Sequence, residues 1–203
     1  MPTSVKELFD TSGVQLVGRV NWGQQIKDDR PGIYIVAVTS QPDGKKNLYG
    51  KVPPIDIPII QKWINDVQTL RLDRVRPNSK ELQQRLCRFW LPDEPILYVG
   101  KAGKSVKERV SAYYNTPLGK RKPHGGGHWI KTLSEINKLS VFWGACNDPE
   151  NTENIMLKRF VDNVSSMTKK VIHDPDRPFP FANREFPHGN KKRHGISGAV
   201  NRD

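Results

Sequence analysis

The chain is 203 residues long and poor in cysteine, with only Cys87 and Cys146. The two lack metal-ligand spacing and each sits in an apolar run. They read as buried free thiols, and a disulfide framework is excluded. Long apolar runs are missing as well: no stretch approaches the roughly 20 residues a membrane-spanning helix needs. The first ten residues lack the apolar core of a secretory leader. The expectation is a soluble, cytoplasmic protein with no membrane partner. There is no internal repeat and no long low-complexity tract. Acidic residues are scarce relative to basic ones, 21 against 33, which leaves a formal net charge of +12. Such an excess attracts a polyanion and releases its counterions on binding, and nucleic acid is the common polyanion. A basic surface with no specific partner is the plainer alternative. A membrane surface is a poorer fit, because no basic amphipathic helix stands out.

Enough aliphatic and aromatic residues are present for a core, while a mean hydropathy of −0.65 implies a large polar surface. Residues 5–9 read as a short helix and 14–20 as a weak strand. Residues 32–38 form the clearest strand, dense in β-branched side chains. Asp43-Gly44 marks a turn, and Pro53, Pro54 and Pro58 argue against a regular helix or central strand there. Two helical patterns follow. In 59–72, Ile60, Trp63, Ile64 and Val67 recur at helical spacing, and in 79–90 Leu82, Leu86 and Phe89 do much the same. A basic linker with Arg71, Arg74 and Arg76 lies between them.

A second strand covers 96–99. Ser105 and Glu108 form a capping pattern for a helix over 106–114. A glycine-rich loop spans 118–127, a helical stretch 129–139, and a third strand 141–143. Asp148-Pro149 caps a helix that runs to about residue 164. The fold class is therefore α+β: a small, mostly antiparallel central sheet of about three strands flanked by helices. A helical insertion at about 51–94 separates the first two core strands. Residues 1–30 read as an N-terminal extension, 31–185 as the main domain, and 186–203 as a basic tail.

Several polar residues sit on faces that should be apolar. Arg109 shares a helix face with Val106, Val110 and Tyr113. It is either an arginine snorkelling to water or a guanidinium held for a bidentate phosphate contact. Glu153 lies on one stripe with Met156, Leu157, Phe160 and Val164. A carboxylate there is costly unless paired or bound to a metal, although acids near a helix start also answer the dipole. Tyr34 and Tyr98 occupy the two strands, where packing with a hydroxyl at the rim is the ordinary role. Lys101 stands between Gly100 and Gly103. His124 and His128 flank a triple glycine, which suits a phosphate-binding loop or a proton shuttle, with a solvated loop as the plainer reading.

Gly32-Ile33-Tyr34 followed by Tyr98-Val99-Gly100 resembles the two tripeptides that name the GIY-YIG nucleases. The downstream set extends the resemblance: Lys101, Arg109, Tyr113 one turn later, Glu153 opening a helix, and Pro180-Phe181-Ala182-Asn183. It covers about half the chain and is nearest in style to the restriction and excision-repair branches. The second tripeptide reads Tyr-Val-Gly, the tyrosines are unusually far apart, and Asn183 lies further from Glu153 than is usual.

The resemblance implies a hairpin that sets Tyr34 beside Tyr98, and a Mg²⁺ (or Mn²⁺) ion held by Glu153. It implies that Arg109 binds the scissile phosphate and that Lys101 lies near the attacking water. Tyr34 is then the candidate general base, with Lys101 favouring its phenolate. Tyr98 and Tyr113 orient water and phosphate, and Asn183 positions a backbone group or supports Glu153. The expected partner is nucleic acid, with double-stranded DNA foremost, and a homodimer stays open. Its contacts are expected from Arg71, Arg74 and Arg76, from Lys120, Arg121, Lys122 and His124, and from Lys191, Lys192 and Arg193. The implied activity is a DNA endonuclease, stand-alone in the manner of a restriction or defence enzyme. A repair or RNA-directed nuclease and an inert nucleic-acid-binding module are the alternatives.

Overall fold

Alternation along one strand decides the layering. In Gly32–Ala37, Ile33 and Ile35 point to one side and Tyr34 and Val36 to the other, and all are buried. Such a strand must be covered on both faces. The computed structural model describes residues 1–186 and 189–198. Residues 187, 188 and 199–203 of the expected basic tail lie outside the described residues.

The chain order begins with α1 (Val5–Ser12), β1 (Gly18–Asn21), β2 (Gly32–Ala37), α2 (Ile57–Asp66), β3 (Arg71–Leu72), α3 (Ser79–Cys87) and β4 (Ile96–Ala102). It continues with α4 (Val106–Asn115), β5 (Ser140–Ala145), α5 (Pro149–Asn163), α6 (Ser166–Val171), β6 (Glu185–Phe186), β7 (Asn190–Lys191) and β8 (Ile196–Ser197). The central sheet is antiparallel throughout, in the order β1-β5-β2-β4. The α+β expectation holds, with four central strands among the described residues where about three were expected.

On one face, Ile33, Ile35, Val99 and Phe142 pack with Val5, Leu8 and Phe9 of α1 and with Met156, Leu157 and Phe160 of α5. On the other, Tyr34, Val36, Tyr98 and Val141 share a core with α2, α3, α4 and the segment at Phe181. The inserted helices therefore bury their apolar stripes in the main core. The first 30 residues, expected as an extension, are built into the domain. β1 is an edge strand of the sheet, and α1 lies on α5 with Glu7 receiving Arg159 at 2.8 Å and Asn163 at 2.8 Å.

Other expectations are corrected. The helical stretch 129–139 is two short 3-10 turns, His128–Thr132 and Ile136–Lys138. The break between them is tertiary: Leu133 bridges to Ile55, and the Asp56 amide donates to the Thr132 carbonyl at 2.8 Å. The helix expected over 59–72 ends at Asp66, and its last two residues become β3, which pairs with β8. The proline- and glycine-rich stretch after Asp174 is a strap that adds β6, β7 and β8. Among the described residues no helix is long and apolar enough to cross a membrane.

Candidate active site

The register of the β2–β4 hairpin builds the centre. Tyr34 lies opposite Gly100, and Val36 opposite Tyr98, so both tyrosines rise from one face with ring centroids 5.9 Å apart. Tyr113 of α4 adds a third ring, 5.4 Å from Tyr98. Gly100 is required here for space. A Cβ at that position would stand 2.6 Å from both the Tyr34 and the Tyr98 ring.

The triple-glycine loop closes over these phenols. A Cβ on Gly127 would stand 2.2 Å from the Tyr113 hydroxyl, which donates to the Gly127 carbonyl at 2.5 Å. His124 is fully buried, stacks on Tyr113 at 4.3 Å, and sets its Nε2 2.7 Å from the Tyr34 hydroxyl. Burial, then the charge of Arg109, pushes its pKa down to about 3, so the ring is neutral at ordinary pH. His128 is buried too, with Nε2 2.6 Å from the His124 carbonyl, and burial lowers its pKa to about 4. The solvated, phosphate-touching histidine expected at 124 is thus replaced by an interior hydrogen-bond partner of Tyr34.

Tyr34 has no exposed surface, and burial followed by the neighbouring Tyr98 holds its pKa well above the ordinary phenol value. Lys101, expected to favour its phenolate, points to the opposite face. It lies opposite Ile33 and reaches Glu150 at 3.1 Å and Glu153 at 3.4 Å. Tyr34 as a phenolate base is therefore corrected: it is a buried, hydrogen-bonded phenol. The tyrosine that reaches the cleft is Tyr98, whose pKa burial and then Glu153 raise to about 12.

The cleft, about 920 Å³, runs along the edge of β4 and is lined by Tyr98, Lys101, Arg109, Glu150 and Glu153. Glu153 keeps 14% of its side chain exposed. Burial raises its pKa and Lys101 works against that rise. Burial opposes the Lys101 charge, yet Glu150 and Glu153 together hold its pKa above the ordinary value. Arg109 is half-buried and donates to the Pro123 carbonyl at 3.3 Å. Its charge is felt at Tyr34, Tyr98, His124 and Glu153.

Asn183 does not meet Glu153. It is buried, accepts from the Val99 amide at 2.9 Å and donates to the Val99 carbonyl at 2.8 Å. Since β4 is a sheet edge, those two backbone groups face away from β2, and Asn183 satisfies both.

The expected nucleic-acid contacts divide. Lys120 and Arg121 are exposed on the cleft rim, and Lys122 is exposed beside them. Lys191 also lines the cleft, 3.5 Å from Glu185. Arg74 is exposed at the tip of the β3 turn. The remaining cations are engaged. Arg76 binds the Val67 and Gln68 carbonyls at 2.7 Å each and also the Ile64 carbonyl, while Arg71 binds the Gln68 and Leu70 carbonyls at 2.9 and 2.8 Å. Arg76 thereby caps the carbonyl end of α2, and Arg71 ties down the loop that follows it. Lys192 is buried, donates to the Pro180 and Phe181 carbonyls, and lies 5.4 Å from the Trp129 ring. Arg193 is paired with Asp174 at 2.7 Å and with Asp176 at 2.5 Å.

Sequence reasoning missed two cleft residues. Glu150, which reads as a helix-start acid, also shares Lys101. Arg184, directly after Asn183, reads as an ordinary loop cation. Comparison with known families, with curated proteins and with solved structures returns no match to this chain.

Proposed function

We propose that this protein is a divalent-metal-dependent phosphodiesterase that cuts within a DNA strand. One observation carries the reading: a carboxylate, an ammonium, a guanidinium and a phenol converge on one cleft, at Glu153, Lys101, Arg109 and Tyr98. That set suits a phosphate diester. Arg109 offers a planar fork to the non-bridging oxygens, where negative charge grows as water adds to phosphorus. Tyr98 is the hydroxyl placed to orient that water, and the buried Tyr34–His124 pair holds the ring environment behind it. Lys101 supplies a second positive charge at the cleft floor.

The donor set fits magnesium in one manner only. Among the described residues no group of three or more His, Cys, Asp or Glu side chains could hold a metal. A hard cation that keeps most of its waters needs only one protein carboxylate plus phosphate oxygens, and Glu153 is that carboxylate. When bound there, Mg²⁺ or Mn²⁺ would neutralise charge on the phosphate and the leaving oxygen.

The test is cleavage of supercoiled plasmid with Mg²⁺, with EDTA, and by Glu153→Gln and Arg109→Lys. Parent cleavage should require the metal. Glu153→Gln should abolish cutting while keeping DNA affinity, and Arg109→Lys should slow it by about 10²- to 10³-fold. Metal-dependent cutting retained by Glu153→Gln overturns the assignment. Absence of cutting on plasmid, single-stranded DNA and RNA alike leaves a binding module.

A further inference from the structure

Several arginines away from the cleft are paired with carboxylates, Arg30 with Asp28, Arg85 with Asp73, Arg159 with Glu7 and Arg193 with Asp174, while Arg71 and Arg76 are spent on backbone carbonyls. Arg109, Arg121 and Arg184 all line the cleft, and none forms an ion pair with a carboxylate among the described residues. Burial lowers the Arg184 pKa, the neighbouring Glu185 carboxylate works against that, and Arg121 adds a weaker like-charge repulsion. The cleft also carries Glu150, Glu153 and Glu185, so its guanidiniums are partly offset, and those guanidiniums are the groups in it with the planar fork that suits a phosphate.

Arg184 is also held in place. Its Nη2 donates to the Gly125 carbonyl at 2.9 Å, and its own carbonyl accepts from the Lys192 amide at 2.8 Å. The preceding residue, Asn183, grips Val99, next to Tyr98. Arg109 is tied to the Pro123 carbonyl of the same loop. Two guanidiniums therefore approach one loop from α4 and from the C-terminal strap, each tethered through one of five N–H donors. The rest of each fork is free for a bidentate phosphate contact.

We propose that Arg184 is a second phosphate-binding residue. It takes the backbone phosphate adjacent to the one held by Arg109, so the substrate is a continuous polynucleotide strand. The proposal rests on the nuclease reading for the role of Arg109, and its test is made by binding, so the two fail separately. In a Glu153→Gln background, the affinity for a fluorescent double-stranded DNA oligonucleotide is measured across a salt series, with and without Arg184→Gln or Arg184→Lys. Arg184→Gln should weaken binding about tenfold, the worth of a charge-assisted hydrogen bond. It should also flatten the slope of log Kd against log salt by about 0.9, the signature of one lost phosphate contact. Arg184→Lys should restore the slope, because it restores the charge. Melting temperature should change little in both. A slope unchanged in Arg184→Gln overturns the proposal, since a residue that only supports the loop moves affinity and stability without changing the ion count. A parent that binds but never cuts overturns the nuclease reading, while the slope still decides on Arg184.

Discussion

Replacing Asn183 by alanine isolates the link between the strap and the catalytic strand. The side chain is buried and makes two hydrogen bonds, both to the backbone of Val99. Truncation would leave the Val99 N–H and C=O without partners at the covered edge of β4. A buried polar group stripped of its partner costs about 1–3 kcal/mol, so two cost about 2–6 kcal/mol if no water enters. Domain stabilities are about 5–15 kcal/mol, which makes this a large fraction. A loss near the lower end, about 3 kcal/mol, is expected, because water can partly replace the side chain at an edge. Urea unfolding measures the loss, and hydrogen exchange at the Val99 amide localises it. Asn183→Asp should rescue only part: it keeps an acceptor for the Val99 amide but offers no donor to the Val99 carbonyl. Stability within 0.5 kcal/mol of the parent, with the Val99 amide still protected, would refute the reasoning.

Three further outcomes are expected. His124, His128 and His194 have pKa values lowered by burial to about 3, about 4 and about 4. The unfolded chain therefore binds more protons below pH 6.5, and stability should fall as pH drops from 6.5 toward 4, by up to about 1.4 kcal/mol per pH unit for each histidine. Glu94 acts with the opposite sign: burial raises its pKa to about 7, so its contribution is present below the unfolded value of 4.5 and is lost as pH rises toward 7. Glu94→Gln should then steepen the acid loss, and a melting temperature flat from pH 6.5 to 4.5 would contradict the histidine placements. In the β3 turn, Arg76→Ser should cost about 1–2 kcal/mol by uncapping α2, while Arg74→Ser should leave urea unfolding unchanged. Tyr34→Phe should destabilise the fold by about 1–3 kcal/mol by leaving His124 Nε2 unpartnered, and loss of activity without loss of stability would point back to a tyrosine base.

Local chemistry made much of this readable in advance. The β-branched residues around Ile33–Val36 specified a strand, and the Ser105 cap and Pro149 placed the starts of α4 and α5. The anomalies at Arg109 and Glu153 were legible because a charge on an apolar stripe breaks a local rule, and both line the cleft. What escaped reading depends on distant partners. Nothing near Arg76 announces that α2 ends beside it, and Lys192 within a basic run gives no sign of the two carbonyls that bury it. His124 looks solvated beside three glycines, yet two of them, Gly126 and Gly127, are what let the loop pack against the phenols. A ladder of two residues such as β3–β8 is too short to leave a periodic trace.

That short ladder has a consequence for how the molecule comes into being. Leu72 pairs with Ile196, and Arg85 reaches the His194 carbonyl, so segments far apart in the sequence must meet. A chain emerging from the ribosome delivers the hairpin of Tyr34 and Tyr98, then Arg109, then Glu153, well before residues 184–198. Contacts of long sequence separation are slow to form, because loop-closure entropy must be met before they reward it. The cleft wall bearing Arg184 and Lys191 therefore cannot be complete until residues 184–198 have been made and have met the insertion.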